Sequence, residues 1–292
     1  RFALDGNGHV REANASFGLS SGYLRLLDPD HEPYFIDEVA GSAHWDTATR
    51  RIIIDPTHLF AADTRLSVIG AIEPPTAGEE GWRVNLGLAE PGTLSAERPG
   101  ERVLPIDELG AEGTVLPFSQ RAVLNRAAMK GPDIDITLDG SMQWTDGAHI
   151  RFNGKAGQGP LRALLRVWPS HVAANLRSWM IGHTHGGIVR GATMSADFDR
   201  HALLMMRYNR PPPDDKLRID FNIADGSIDT IAGLPVLTGL DASLHITGRT
   251  LQLKGRAGTF EVSPGRRITL LDGQFDMPQN DGADSRSEEH TS

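Results

Sequence analysis

The dominant signal along the chain is a two-residue alternation of apolar and polar positions. Ile134, Ile136, Leu138, Met142 and Trp144 all fall on even positions, separated by Asp135, Thr137, Asp139, Ser141 and Gln143. Such alternation puts one row of side chains on a core face and the other in solvent, so it predicts a half-buried strand of about eleven residues. After Asp146-Gly147 the row resumes, still even, at Ile150 and Phe152. A two-residue loop there would set apolar opposite polar positions. A three-residue loop over 145–147 pairs Met142 with Ile150 and keeps one face apolar.

The same register argument predicts a meander toward the C-terminus. Leu217, Ile219, Phe221 and Ile223 alternate with polar residues, and an Asp225-Gly226 turn sets Ile223 opposite Ile228. A Gly248-Arg249 turn brings Leu244 and Ile246 against Leu253 and Leu251, which then face Phe260 and Val262. Around Pro264-Gly265-Arg266, Val262 faces Ile268. An Asp272-Gly273 turn sets Leu270 opposite Phe275 and Ile268 opposite Met277. Fainter alternation runs through Ala13/Ala15/Phe17/Leu19, Leu66/Val68/Ile72 and Trp82/Val84/Leu86/Leu88. The expected fold is mainly β: a long curled antiparallel sheet forming an apolar groove.

One segment changes period. From Pro160 the apolar spacing becomes three and four, through Leu161, Leu164, Leu165 and Trp168, then Val172, Leu176, Trp179 and Met180. Pro160 and Pro169 suit first helical turns and Gly186 suits the far end, so two short helices are expected at about 160–167 and 170–183. The Pro211-Pro212-Pro213 run with Asp214-Asp215 reads as a loop. The expected organisation is an N-terminal β-groove segment, 1–210, carrying a helical insert at 160–185, and a meander, 214–280, that continues the sheet.

Leu164-Leu165-Arg166-Val167-Trp168-Pro169, then Arg177-Ser178-Trp179 and Gly186-Gly187-Ile188-Val189, resembles the central domain of the YhdP-like branch of AsmA-like proteins, which are related to TamB-type bridge-like lipid transporters. The stretch from Leu234 to Arg249 is similar to that branch's next block, with Val236 where a second proline is usual. The matching blocks run from about Val103 to Met277. The resemblance implies a Gram-negative envelope protein of the periplasm, tethered in the inner membrane by an N-terminal anchor. It also implies a β-groove that carries phospholipid toward the outer membrane, without catalysis or a cofactor.

Composition narrows the chemistry. The chain has 292 residues with a formal charge of −9, which disfavours nucleic acid as a partner because phosphate binding needs a basic surface. It contains no cysteine, which excludes thiolate zinc, iron–sulfur clusters, disulfides and thiol nucleophiles. Arg1 enters in mid-pattern, so a targeting region is expected upstream. Residues 286–292 read as a translated sequencing adapter and are set aside.

The remaining candidates are weak. His183 and His185 could form a metal pair with Asp197 or Asp199, but a histidine at a helix end meeting terminal carbonyls is the simpler expectation. Asp133/Asp135 and Asp214/Asp215 could be paired acids for glycoside hydrolysis, yet the first pair alternates as a solvent row and the second lies in a loop. Trp168 and Trp179 are expected to fasten the helices to the sheet, and those helices could alternatively lie on a membrane surface. The favoured function is acyl-lipid binding in a groove lined by the rows named above. The alternative is a structural or adhesin-like envelope β-sandwich or solenoid that binds protein or saccharide, with the apolar rows closed into a core. Strands stand about 4.8 Å apart, so some sixteen of them would extend a trough to roughly 75 Å.

Overall fold

The computed structural model describes residues 1–4, 6, 10–24, 34–96, 98, 100–145, 147–169, 172–208, 210–229 and 235–278. The chain is mainly β, with antiparallel pairing throughout and three short helices. It forms two compact units, Arg1–Thr145 and Asp146–Ser292.

The described elements of unit 1 are strands: β1 (Phe2–Leu4), β2 (Val10–Leu24), β3 (Tyr34–Asp46), β4 (Arg51–Ala61), β5 (Thr64–Glu73), β6 (Trp82–Leu88), β7 (Gly92–Leu94), β8 (Leu104–Ile106), β9 (Glu108–Leu116), β10 (Arg121–Gly131) and β11 (Ile134–Gln143). Neighbours in sequence pair from β1 to β6, then β6 pairs with β9 and the order continues to β11. The short β7–β8 pair attaches at the end of β5, where Arg65 meets Thr93. Bulges in β4 and β10 shift the register by one residue, which bends the strands locally.

Unit 2 runs β12 (His149–Ala156), β13 (Gly159–Pro160), α1 (Leu161–Val167), α2 (Ala174–His183), β14 (Thr184–Phe198), α3 (Arg200–Arg207), a 3-10 turn (Asp214–Lys216), β15 (Leu217–Ile228), β16 (Leu237–Thr247), β17 (Thr250–Ser263) and β18 (Arg266–Pro278). Here β12 pairs with β14, and β14 to β18 pair in sequence. Pro160 caps α1 at φ −59, and α2 starts after a left-handed Ala173. The Asp199 carboxylate accepts the Ala202 N–H at 2.9 Å and starts α3, a helix absent from the sequence expectation because its eight residues follow a strand without a break.

The two expected helices are found, and Leu244 pairs with Leu253 and Ile246 with Leu251 across Gly248-Arg249 as the hairpin rule requires. Three turns are corrected. Asp225-Gly226 does not fold back: Ile223 and Ile228 lie on one strand, opposite Ala242 and Leu237. Asp272-Gly273 is likewise internal to β18, where Phe275 pairs with Leu253 and Leu270 with Gly258. Phe260 belongs to the same strand as Leu251 and pairs with Leu237 and Ile268, so Val262 does not pair with Ile268. A two-residue type I′ turn needs positive φ at both central residues. Only Asp225 (φ 50) and Asp272 (φ 49) are positive, and their glycines are not.

The unit boundary falls at residues 145/146 and not at the proline run, which is tied into unit 2. Asp214 accepts hydrogen bonds from the Arg249 N–H at 2.7 Å and from the Thr247 hydroxyl, and these hold its carboxyl below the usual range. The turn expected to pair Met142 with Ile150 runs through Asp146, which lies outside the described residues.

Candidate functional site

In an antiparallel sheet, directly paired residues share a face, so the registers of unit 1 can be followed from strand to strand. Ile72 pairs with Ile52 and Val84, Val84 with Gly113, Gly113 with Leu124, and Leu124 with Gly140. A parallel row runs through Ala15, Ala43, Ile54, Gly70, Leu86, Ala111, Ala127 and Leu138. One face of the eight strands β2–β6 and β9–β11 is therefore almost wholly apolar. From β3 onward Asp37, Thr57 and Thr64 are its polar interruptions. The opposite face carries Asn85, Glu112, Asp135, Asp139 and their neighbours.

This apolar face is poorly covered by protein. Of its described side chains only Ile134 is buried, at 5% exposure, while Ile136 and Leu138 are half-buried and Met142 is exposed. Trp144, just beyond β11, is exposed as well. Close backbone approach at its glycines indicates that the sheet curls toward this side. A Cβ added at Gly70 would stand 2.5 Å from the Asn85 carbonyl oxygen, and at Gly113 2.6 Å from that of Val123. On the polar face a Cβ at Gly18 or Gly87 has nothing nearer than about 3.8 Å, and one at Gly110 stands 3.3 Å from the Leu86 carbonyl oxygen. Neighbouring backbone thus leans over the apolar side. At one end the β7–β8 pair crosses that side. A Cβ at Gly131 would collide with the Pro105 carbonyl, and Leu104 and Ile106 are buried beneath the crossing. The Asp107 N–H donates to the Lys130 carbonyl at 2.8 Å and fastens it.

Unit 2 has a comparable apolar face with a different fate. Phe152, Ala196 and Leu217 pair in one row, and Met194, Ile219, Ile246 and Leu251 in another. Helices α1, α2 and α3 lie over it. Leu161, Leu165, Trp168, Leu176, Met180 and Ala202 form one cluster with Val189, Phe221, Ile223, Leu240 and Leu244. Leu244, Ile246 and Leu251 are each at most 5% exposed. They sit in a filled core under the helices and present no open lining. Ile150, Phe152, Leu253, Phe260 and Leu270 pack at its margin, whereas Val262 and Ile268 are exposed. The side chains of Phe275 and Met277 lie outside the described residues.

The motif residues build this cover. Trp168 stands edge-on to Phe221 at 6.2 Å and donates its indole N–H to the Val172 carbonyl at 2.7 Å. Pro169 follows it at the helix end, and the Arg177 Nε donates to the Trp168 carbonyl at 2.9 Å, tying α2 to α1. Trp179 is partly exposed and stacks on His183, whose Nδ1 meets the Trp179 carbonyl at 2.8 Å. Gly187 has φ 134, and a Cβ there would come 3.0 Å from the Gly226 Cα, so Gly186-Gly187 lets β14 pass the Asp225 bulge.

The polar candidates are occupied by one another. Asp197 bonds His149 and Arg151, and the His149 bond is the main cause of its lowered pKa. Asp199 is spent on capping α3 and on Lys216, and His185 pairs with Asp229 at 2.8 Å. Ser42, His44 and Asp55 cluster in unit 1, but both Ser42 and His44 bond the carboxylate, leaving serine and histidine unlinked to each other. Among the described residues no three His, Asp or Glu side chains are grouped to hold a metal ion. No family model matches the chain, and neither a curated protein nor a solved structure does.

Proposed function

We propose that the protein binds acyl lipid, without catalysis, along the open concave face of unit 1. The observation that carries this reading is an eight-strand apolar face on which, among the described side chains, only Ile134 is buried. A contiguous apolar surface of that extent is costly in water and marks a binding site. Seven strand spacings make it roughly 34 Å across. Removing about ten methylenes from water there contributes roughly 8 kcal/mol with no polar contact needed. The AsmA-like, YhdP-like resemblance supports phospholipid as the ligand, and with it a periplasmic protein anchored in the inner membrane.

The test is native mass spectrometry with lipid extraction, on protein purified from bacterial membranes in mild detergent. Bound phospholipid that is lost in Leu86→Asp and Ile54→Asp, with strand content retained, is the expected result. A folded wild-type protein that carries no lipid would sink the reading. A structural envelope role is the second reading, and the helix-covered core of unit 2 favours it for that unit.

A further inference from the structure

Helix α3 has two unlike sides. Ala202, Leu203 and Met206 pack toward the unit 2 core. At 3.6 residues per turn the opposite side is one contiguous arc, and it presents Arg207, Arg200, Leu204, Tyr208 and His201, all exposed. Leu204 is 41% exposed and Tyr208 71%, and exposed Arg210 follows immediately. No acidic residue stands between Asp199 and Asp214, so this stretch is positive in a chain of net charge −9.

The flanking acids do not neutralise it. Asp199 is held by the Ala202 N–H and by Lys216 at 2.9 Å, and Asp214 by Thr247 and the Arg249 N–H. Among the described residues Arg200, Arg207 and Arg210 form no ion pair. A short helix that offers a leucine and a tyrosine between arginines matches a bilayer interface. The apolar groups enter the headgroup boundary and the cations meet lipid phosphates.

We propose that α3 docks unit 2 onto an anionic phospholipid surface, with Leu204 and Tyr208 inserted and Arg200, Arg207 and Arg210 on the phosphates. This goes beyond acyl binding, since it concerns an outer surface and not the apolar face of unit 1. Nucleic acid fits less well, because the whole chain is acidic and the arc exposes Leu204.

Cosedimentation of the full chain with phosphatidylcholine vesicles, and with mixed phosphatidylcholine and phosphatidylglycerol vesicles, tests the proposal. The expected result is preferential binding to the mixed vesicles. It should weaken roughly tenfold or more in Arg200→Glu/Arg207→Glu/Arg210→Glu, and weaken at high salt. Leu204→Ser/Tyr208→Ser should weaken it too, and all five positions are exposed, so circular dichroism should be unchanged. Equal binding to neutral vesicles, unchanged binding in the arginine variant, or equally tight binding of duplex DNA overturns the proposal. Extracted acyl lipid should stay at the wild-type level in the arginine variant, whereas Leu86→Asp should lose it and still dock. The two readings therefore fail separately.

Discussion

The two units solve one problem in opposite ways. Each builds an antiparallel sheet with one apolar face, and antiparallel sheets commonly pack one face and leave the other to water. Unit 2 covers its face with α1, α2 and α3, and its sheet residues fall to a few per cent exposure. Among its described residues unit 1 has no helix, only the β7–β8 crossing at one end, and its face stays largely uncovered. Apolar alternation is thus common to a core and to a binding surface. What separates them is whether the chain supplies a second layer.

The largest expected effect comes from placing the same charge on both faces. Leu251→Asp buries a carboxylate in the filled core of unit 2, where no partner awaits it, and should abolish the folded unit. Leu86→Asp in unit 1 is expected to leave the fold in place. Thermal melts of the two variants check this, and equal loss of structure would mean that unit 1 is as closed as unit 2. Next in size is Trp168→Ala. It removes the edge contact with Phe221 and the bond to Val172, and should cost about 3–5 kcal/mol in urea titrations. Trp82→Ala, on the half-buried face of β6, should cost much less.

Sequence pattern revealed the class of fold, the α1–α2 pair and the Gly248-Arg249 hairpin, because each rests on local rules. It misjudged the long strands. Asp225 and Asp272 take the positive φ that an Asp-Gly turn would use, yet the chain runs on, since β14 and β16 pair along both edges of β15 and β17 pairs along β18 past Asp272. That is a tertiary choice, invisible in a dipeptide. Of the strong alternating rows, Ile134, Ile136, Leu138 and Met142 lie on the open face of unit 1, whereas Leu244, Ile246 and Leu251 are core. The fainter rows Leu66/Val68/Ile72 and Trp82/Val84/Leu86/Leu88 lie on the open face. Glycines at 70 and 113 dilute the pattern there, and they are the positions where neighbouring backbone comes too close for a side chain.

Those glycines permit a finer comparison, between the two sides of the unit 1 sheet. Gly70→Ala would push a methyl onto the Asn85 carbonyl and must flatten the local curl, at a cost of about 1–3 kcal/mol. Gly87→Ala on the polar side meets nothing nearer than 3.8 Å and should be neutral or slightly stabilising. Urea midpoints decide it. If both substitutions cost the same, the concavity assigned to the apolar side is wrong.

The smallest expected effect lies on the polar face of unit 2. Burial by itself would raise the Asp220 carboxyl, but hydrogen bonds from Arg218 Nε and His245 Nδ1, both at 2.6 Å, outweigh it and leave the pKa below the ordinary value. A carboxyl depressed in the folded state stabilises that state above its unfolded pKa of about 3.9, and the stabilisation fades as pH falls through the lower folded value. Melting temperature should therefore drop below about pH 4, and Asp220→Asn should make that drop shallower. Asp220 and His245 are about a third exposed and Arg218 about two-thirds, so solvent screening keeps the difference small. Melts of both proteins across the acid range measure it. Parallel curves would show that the Arg218–Asp220–His245 group adds nothing to the acid stability of unit 2, leaving its covered apolar core as the main source of that stability.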